Sequence, residues 1–404
     1  MNFKSEFLKE FSARGFFAQC THLNELDELM VRESITAYIG FDCTAKSLHA
    51  GSLIQIMILR LLQKHGHKPL VLLGGGTTKI GDPSGKDEAR QVLDEAKIQE
   101  NLAGIKKTLE KFISFEGANA ALMVNNDDWL KNLNYLDFLR DIGRHFSINR
   151  MLTFDSVKTR LEREQPLSFL EFNYMILQAY DFYELNKTHN CRLQIGGSDQ
   201  WGNIVNGVEL CRRISAKEAF GLTSPLLTTS DGKKMGKTAD GAVWLDAGML
   251  SPFDYFQYFR NTHDADVGKF LRLFTDLEIS EIESLEKLQG QEINSAKERL
   301  AFETVKICHG EKAASESLQK AREIFVAKNS AAFEEKEILL GSKLTDIIFE
   351  IGASESKGAA KKLIEGKAVK INGEAVLDVL HSITEIGDFE LSVGKKKFFK
   401  IIVK

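Results

Sequence analysis

The sequence predicts an α/β fold built on a parallel sheet, and two repeated patterns support this prediction. Residues 35–41 alternate as on a strand, and residues 53–64 form a dense apolar helix that Gly66 can end. Residues 68–73 then form a second, buried strand. A strand, a crossover helix and a strand within roughly forty residues make a right-handed parallel unit. Residues 192–204 repeat the order of strand, glycine turn and helix, so we expect the sheet to continue there.

The composition narrows the class of protein. A chain of 404 residues is too long for one ordinary core, so two or three domains are expected. The net charge of −4 gives no general attraction for nucleic acid, so any RNA contact must come from a local basic patch. Five scattered cysteines without a C-x-x-C pair argue against a disulfide framework or a structural metal. With no apolar run of membrane-spanning length and no signal-peptide pattern, we expect a cytoplasmic protein without a membrane partner.

The loop between the first strand and its helix, residues 42–52, is a candidate anion site, and we call it the first corner. It carries His49, Gly51 and Ser52 at the start of the helix, where free backbone N–H groups point outward. Such a helix start suits the phosphates of a nucleotide.

A glycine-rich, charged segment, residues 74–90, follows the second strand. It is not a P-loop, because the spacing between its glycine and its lysine is one residue too short and no serine or threonine follows the lysine. Asp82, Lys86 and Arg90 remain as charged groups close to the first corner. The alternative is a solvated surface loop.

The helix predicted at residues 168–185 carries Tyr174, Gln178 and Asp181 on one stripe, with apolar residues on most of its remaining surface. This pattern predicts a buried helix whose polar stripe lines a cavity. An ordinary helix with one wet side is the alternative.

The second strand-to-helix turn, residues 192–204, is called the second corner. Backbone can approach a ligand closely at Gly196 and Gly197, and Asp199 can reach a ribose hydroxyl. The signal is weak alone, but open α/β sheets bind ligands where such corners meet.

Residues 223–241 place Lys233, Lys234 and Lys237 among glycines, as a mobile cationic loop would. A solvated turn is the usual interpretation of a lysine cluster. The two corners upstream favour the cationic loop instead, because a bound triphosphate would need such charges.

The C-terminal part differs from the rest. Residues 252–325 are helical in pattern, and residues 326–340 look like a connector. Residues 341–404 hold 11 lysines and 9 acidic residues, a net charge of +2 against −6 for the rest of the chain. This basic module, with a second run of lysines at 395–400, is best explained as a nucleic-acid clamp. An edge strand protected by lysines is the alternative.

Taken together, these motifs resemble the bacterial tyrosyl-tRNA synthetases, a family of class I aminoacyl-tRNA synthetases, over essentially the whole chain. The matching segments are HAGS at 49–52 in place of the HIGH signature, KMGKT at 234–238 in place of KMSKS, GFD and TA within 40–45, IGDPSGK at 80–86, YMILQAYDF at 174–182 and QIGGSDQWGN at 194–203.

The resemblance implies five parts: a Rossmann-like parallel-sheet catalytic domain, a mobile KMSKS-type segment, a small α-helical domain, a linker and an S4-like α+β RNA-binding domain. Their expected bounds are 1–225, 226–247, 248–325, 326–340 and 341–404.

The resemblance also implies roles for individual residues. Tyr38 and Asp181 would bind the phenolic hydroxyl of tyrosine. The residues expected to hold the ammonium group are Asp82, Tyr174 and Gln178, with Gln200 beside the carboxylate. Those expected around ATP are Gly40, Asp42, Thr44, His49, Gly51, Ser52, Gly196 and Asp199. Those expected to close over the pyrophosphate are Lys86, Arg90, Lys234, Lys237 and Thr238. The RNA contacts that it implies are Lys357, Lys361 and Lys362.

Three residues depart from the family pattern. Ser52 replaces the second histidine of HIGH, Gly236 replaces the serine of KMSKS, and Cys43 stands where a proline often follows the aspartate. We expect these changes to tune the activity and not to abolish it.

The implied reaction is activation of tyrosine by ATP with Mg²⁺ and transfer to tRNA(Tyr), by a homodimer. A tryptophanyl enzyme would not need the pair Tyr38 and Asp181. A HIGH-type nucleotidyltransferase would not explain the lysine loop or the basic tail. A non-catalytic RNA-binding relative would be favoured by loss of His49, Lys234 or Lys237, and all three are present.

Overall fold

The computed structural model describes residues 2–404 apart from 83–92, 216, 231, 233–234, 239–240, 332 and 395–396. Only the backbone is described at 155–156, 237–238, 324–331, 333–334 and 398. The chain forms two compact units, Met1–Leu318 and Gln319–Lys404. The predicted five-part division remains a prediction.

The first unit is built on a six-stranded sheet. Its strands are β1 (Gln19–Cys20), β2 (Thr36–Asp42), β3 (Lys68–Gly74), β4 (Leu122–Asn125), β5 (Cys191–Gly197) and β6 (Phe220–Ser224). The strand order is β1-β6-β5-β2-β3-β4, and the pairs are parallel except that β1 runs antiparallel to β6. The predicted α/β class and the parallel pair β2–β3 are therefore confirmed. A separate short hairpin pairs β7 (Lys237–Thr238) with β8 (Gly241–Ala242).

The helices of the first unit cover the sheet and extend beyond it. They are α1 (Glu6–Ala13), α2 (Leu23–Arg32), α3 (Leu53–Lys64), α4 (Glu95–Leu109), α5 (Asp127–Leu130), α6 (Tyr135–Asp141), α7 (Ile148–Met151), α8 (Asp155–Glu162), α9 (Phe169–His189), α10 (Trp201–Ile214), α11 (Pro252–Arg260), α12 (Val267–Phe274), α13 (Ile279–Leu285) and α14 (Ile293–His309). The next helix is α15 (Glu311–Ala331).

The position of the site follows from the strand order. Chain order jumps from β2 to β5 at the middle of the sheet, so the connections after these two strands leave in opposite directions. Such a switch point opens a crevice at the carboxyl ends of the strands, which is where open α/β sheets bind ligands. Both predicted corners start at this point.

The second unit begins within α15 and then forms a mixed five-stranded sheet with two further helices in its described part. It contains β9 (Phe333–Ile338), α16 (Leu344–Glu350), α17 (Lys357–Glu365), β10 (Val369–Ile371), β11 (Glu374–Ala375), β12 (Asp388–Val393) and β13 (Lys397–Val403). The strand order is β11-β10-β12-β13-β9. The lysines of β13 do not protect an edge, because this strand lies between β12 and β9, so that alternative is wrong for it. Within the described ranges no helix is long and apolar enough to cross a membrane.

Candidate active site

A cavity of about 620 Å³ lies at the switch point. Its walls come from the ends of β2 and β5, the two corners, one side of α9, residues 225–227, Ala242 and Trp244. The predicted site residues that line it are Tyr38, Gly40, Asp42, Thr44, His49, Gly51, Ser52, Asp82, Tyr174, Gln178, Asp181, Gly196, Asp199 and Gln200. Residues that are up to 162 positions apart in the chain therefore line the same cavity.

Helix α9 delivers the polar stripe because both of its ends are fixed. Ser168 and Glu171 form a reciprocal capping box at the start, and Asn190 ends the helix in the left-handed conformation. Tyr174 and Asp181 are buried, and with Gln178 they face the cavity. The stripe thus lines a cavity and not a wet surface.

Asp181 is a buried carboxyl group with two strong donors. Its Oδ2 accepts from Asn126 Nδ2 at 2.9 Å, and its Oδ1 accepts from Trp129 Nε1 at 2.8 Å. Burial raises the pKa of Asp181 to about 7, against the two hydrogen bonds, which lower it, while the charge of Asp42 raises it further. A carboxyl group that can accept a hydrogen bond from a ligand is therefore held at the floor of the cavity.

Tyr38 on β2 stands near this carboxyl group. Its side chain is 1% exposed, and its hydroxyl has no hydrogen-bond partner within the described part of the chain. Burial and then the negative charge of Asp181 raise the pKa of Tyr38 well above its usual value, so it stays a neutral phenol. On the neighbouring strand Gln194 pairs with Tyr38 in register, is 2% exposed and leaves its Oε1 unpartnered among the described residues.

The side chain of Gln200, in the second corner, connects this corner to the loop that carries Asp82. Gln200 Nε2 donates to Asp82 Oδ2 at 2.9 Å, and Asn203 Nδ2 donates to Gln200 Oε1 at 3.0 Å. Tyr174 Oη makes a long contact of 3.5 Å with Asp42 Oδ1. Two carboxylates and two amides therefore surround the space where the predicted ammonium and carboxylate groups of an amino acid would lie.

The first corner is held in place by a hydrogen bond within it and by contacts with the residues that follow β8. Gly51 N donates to His49 Nδ1 at 3.0 Å, and the His49 ring packs edge-on against Trp244 at 6.1 Å. The chain after the hairpin β7–β8 runs along this corner, with Ala50 N donating to Val243 O at 2.7 Å. The His49 ring is thereby fixed on the cavity wall.

Gly236 of the KMGKT motif packs against the same corner. Gly236 N donates to Tyr258 Oη at 3.3 Å, and Gly236 O accepts from Val243 N at 3.0 Å. Gly236 has a φ of +92°, and a Cβ there would lie 2.4 Å from Gly51 N. The glycine at this position of the KMSKS motif has a physical reason, because the side chain of a serine would clash with the backbone of Gly51.

Some predicted residues are not placed. Lys86, Arg90 and Lys234 lie outside the described residues, and only the backbone of Lys237 and Thr238 is described, in β7. Cys43 is buried, its backbone N donates to Thr78 Oγ1 at 2.7 Å, and burial raises the pKa of its thiol to about 12. An inert thiol therefore replaces the proline of the family pattern.

The predicted RNA contacts lie in the second unit. Lys361 and Lys362 are exposed on α17, whereas Lys357 pairs with Asp346 at 2.9 Å.

Within the described residues no three His, Cys, Asp or Glu side chains gather as a metal site would require.

Sequence reasoning missed Asn126, Trp129, Trp244 and Tyr258. The only signal in the sequence for the first two was the short apolar segment ALMVNN at 121–126, which has the pattern of a strand, ends at Asn126 and is followed by Trp129. Gln194 was within a quoted motif but was given no role.

Comparison with known proteins identifies the family. The family model described as tRNA synthetases class I (W and Y) matches residues 30–326. The tyrosine–tRNA ligase of Wolbachia pipientis subsp. Culex pipiens (strain wPip) is 58% identical over 415 residues, covering 100% of this chain and 99% of the relative. The tyrosine–tRNA ligase of Ehrlichia ruminantium (strain Welgevonden) is 58% identical over 416 residues, covering 100% and 99%.

Solved structures give the same answer. A C-terminally truncated mitochondrial tyrosyl-tRNA synthetase of Aspergillus nidulans superposes with a TM-score of 0.72 at 32% identity, covering 80% of this chain and 94% of that one. The chain therefore belongs to the tyrosine–tRNA ligase family of class I tRNA synthetases.

Proposed function

We propose that the protein joins L-tyrosine to ATP, forming tyrosyl-adenylate and pyrophosphate, and then transfers the tyrosyl group to the 3′-terminal adenosine of tRNA(Tyr). The observation that carries this proposal is the pair of buried groups at the floor of the cavity. Tyr38 brings a hydroxyl that has no hydrogen-bond partner among the described residues, and Asp181 brings a carboxyl group fixed by Asn126 and Trp129. A phenolic hydroxyl placed between them would satisfy both.

This pair also explains selection against phenylalanine. A substrate without the hydroxyl would make no hydrogen bond to the buried Tyr38 hydroxyl or to the cavity side of the Asp181 carboxyl group, and this loss is costly in a site shielded from water. Tyrosyl-tRNA synthetases are the standing example of selection by this effect. Asp181→Ala should therefore lose tyrosine selection and tyrosine activation together.

The rest of the cavity accommodates the other substrate groups. Asp82, Tyr174 and Gln178 would hold the ammonium group, and Gln200 would lie beside the carboxylate. ATP would lie along both corners, with its phosphates near Thr44 and His49, its backbone contacts at Gly40, Asp42, Gly51, Ser52 and Gly196, and its ribose at Asp199. Mg²⁺ would arrive with the phosphates of ATP.

The substrate itself supplies the nucleophile. The tyrosine carboxylate oxygen attacks the α-phosphorus of ATP, the bond to the bridging oxygen breaks, and pyrophosphate leaves with that electron pair. Catalysis rests on positioning and on cations that meet the developing charge. Lys86, Arg90, Lys234, Lys237 and Thr238 would supply these contacts. A ribose hydroxyl of the tRNA then attacks the acyl carbon, and AMP leaves.

The partners follow from the surfaces. Lys357, Lys361 and Lys362 would contact tRNA(Tyr), in the cytoplasm.

Large apolar side chains concentrate on the surface between residues 135 and 170, where Leu136 is 74% exposed and Phe169 is 70% exposed. A second copy of the chain would remove them from water, which supports a homodimer. Sedimentation should give twice the mass of the 45.3 kDa chain. Leu136→Lys should shift the protein towards the mass of one chain.

The decisive experiment is the exchange of labelled pyrophosphate into ATP with each of the twenty amino acids in turn. We expect exchange with tyrosine alone. Exchange with another amino acid would overturn the roles of Tyr38 and Asp181. Folded protein that binds ATP but exchanges nothing would point to a non-catalytic RNA-binding protein.

A further inference from the structure

One face of helix α4 contacts the segment that joins β2 to His49, residues 43–48, which we call the linking segment. Asn101 Nδ2 donates to the backbone oxygen of Cys43 at 2.8 Å, and Asn101 is 0% exposed. Ser47 Oγ lies 3.4 Å from Thr108 Oγ1. Because residues four and seven positions apart share a helix face, these contacts form one stripe along α4.

Gly104 lies between these two contacts on the same stripe. A Cβ at this position would lie 1.9 Å from the backbone oxygen of Lys46 and 2.9 Å from its carbonyl carbon. The obstacle is backbone and not the end of a flexible side chain. Any residue other than glycine must therefore move the linking segment or the helix, and the buried Ile98, Ile105 and Leu109 hold the helix.

The linking segment forms part of the cavity wall. Thr44, Ala45, Ser47 and Leu48 all line the cavity, and His49 follows directly. The segment makes no regular secondary structure between Asp42 and Ala50, so its conformation depends on what it packs against. Along the segment, α4 contacts Cys43, Lys46 and Ser47, and Lys46 also forms an ion pair with Glu100.

We propose that Asn101 and Gly104 are positioning residues for ATP: they set the linking segment in the conformation that receives the nucleotide phosphates. The inference rests on the proposed function and adds to it two residues that touch no substrate. Small displacements of a positioned group are costly, since catalysis here depends on geometry and not on a protein nucleophile. Displacing this segment should therefore impair ATP and leave tyrosine binding intact.

The test uses Gly104→Ala and Asn101→Ala in the full chain. Tyrosine-dependent pyrophosphate exchange gives KM for ATP and kcat, and equilibrium dialysis without ATP gives Kd for tyrosine. We expect kcat/KM for ATP to fall at least about tenfold in both variants, with Kd for tyrosine within about twofold of wild type. A merely structural role would not produce this split between the two substrates.

Each variant has a matched control in the same unit. Asn186 is also 0% exposed and donates through Nδ2 to the backbone oxygen of Cys191 at 2.9 Å, at the start of β5 and so at the end opposite to the cavity. Gly143→Ala places its Cβ 3.5 Å from Leu139 Cδ2, an ordinary contact. Asn186→Ala should cost stability without changing KM for ATP, and Gly143→Ala should change neither.

The outcomes separate this inference from the proposed function. Wild-type protein that fails to exchange with tyrosine would refute the proposed function. Wild-type exchange together with unchanged kcat/KM for ATP in Gly104→Ala would refute the positioning role alone. Equal losses for tyrosine and ATP would also refute it, as would a matching loss in Asn186→Ala. If Gly104→Ala does not fold, the milder Asn101→Ser, which removes the same donor, decides by the same criteria.

Discussion

The indole Nε1 of Trp129 donates a hydrogen bond of 2.8 Å to Oδ1 of Asp181, across 52 positions of the sequence. Together with Asn126, it occupies one side of the carboxyl group and leaves the cavity side for a ligand. The hydrogen bond also opposes the effect of burial on the pKa of Asp181. Trp129 thus helps to keep Asp181 in its accepting form.

Trp129→Phe keeps an aromatic ring but removes this donor. We expect kcat/KM for tyrosine to fall roughly ten- to a hundredfold, because a hydrogen bond to a charged group is worth about 1.5–3 kcal/mol. Activation of phenylalanine at high concentration provides the internal control, since it makes no use of the carboxylate and should not fall. Steady-state pyrophosphate exchange measures both. Equal losses for the two amino acids would mean that Trp129 only supports the fold.

The raised pKa of Asp181 predicts a pH dependence of tyrosine binding. The ionised form of Asp181 accepts a hydrogen bond from the phenolic hydroxyl of tyrosine. Because burial raises the pKa of Asp181 to about 7, the fraction of protein competent to bind falls as the pH decreases through that value. Kd for tyrosine should rise about tenfold for each pH unit below 7 and be constant above it.

Isothermal titration between pH 5.5 and 8.5 measures this profile. Trp129→Phe should move its midpoint above 7, because the lost hydrogen bond lowers the pKa in the wild type. Asp181→Asn should bind weakly at every pH. A wild-type profile that stays flat down to pH 5.5 would contradict the pKa.

Tyr38→Phe should change activity and stability in opposite directions. The lost hydroxyl is a partner for substrate, so kcat/KM for tyrosine should fall about tenfold. In the free protein the same hydroxyl is buried without a hydrogen bond in the described chain, so its removal should raise the free energy of unfolding by up to about 1 kcal/mol.

Tyr255 offers a matched control for this change. Its hydroxyl is also buried and unpartnered among the described residues, but it lies on α11 and does not line the cavity. Tyr255→Phe should therefore raise the unfolding midpoint without changing kcat/KM for tyrosine. If Tyr38→Phe lowers the free energy of unfolding by as much as the free energy that corresponds to its loss of kcat/KM, the hydroxyl has a structural partner and the proposed role fails.

Local pattern explains what the sequence could predict. The β2–α3–β3 unit and the stripe of Tyr174, Gln178 and Asp181 follow from periodicity within short segments. The resemblance to a family then added the roles of residues on the two corners, and the structure places those that it describes on one cavity.

Contacts between distant segments explain what it could not. Asn126 and Trp129 reach Asp181 only because β4 lies beside β3, and no spacing in the sequence gives that pairing. Asn101 and Gly104 matter only because α4 packs on the linking segment. The edge-strand interpretation of the C-terminal lysines failed for the same reason: β13 pairs in parallel with β9, so that Lys400 lies 3.4 Å from Glu335.

Gly236→Ser restores the serine of the KMSKS pattern, and we expect it to impair this protein. The added Cβ would lie 2.4 Å from Gly51 N, and the φ of +92° is strained for serine. The motif would then be displaced from the first corner, and kcat for pyrophosphate exchange should fall about tenfold with Kd for tyrosine unchanged. Gly232→Ser is the matched control: its φ of +79° carries the same kind of strain, but no atom of the described residues lies within 4 Å of its Cβ. Strain alone would lower kcat alike in both variants, whereas the close approach to Gly51 predicts the loss in Gly236→Ser only.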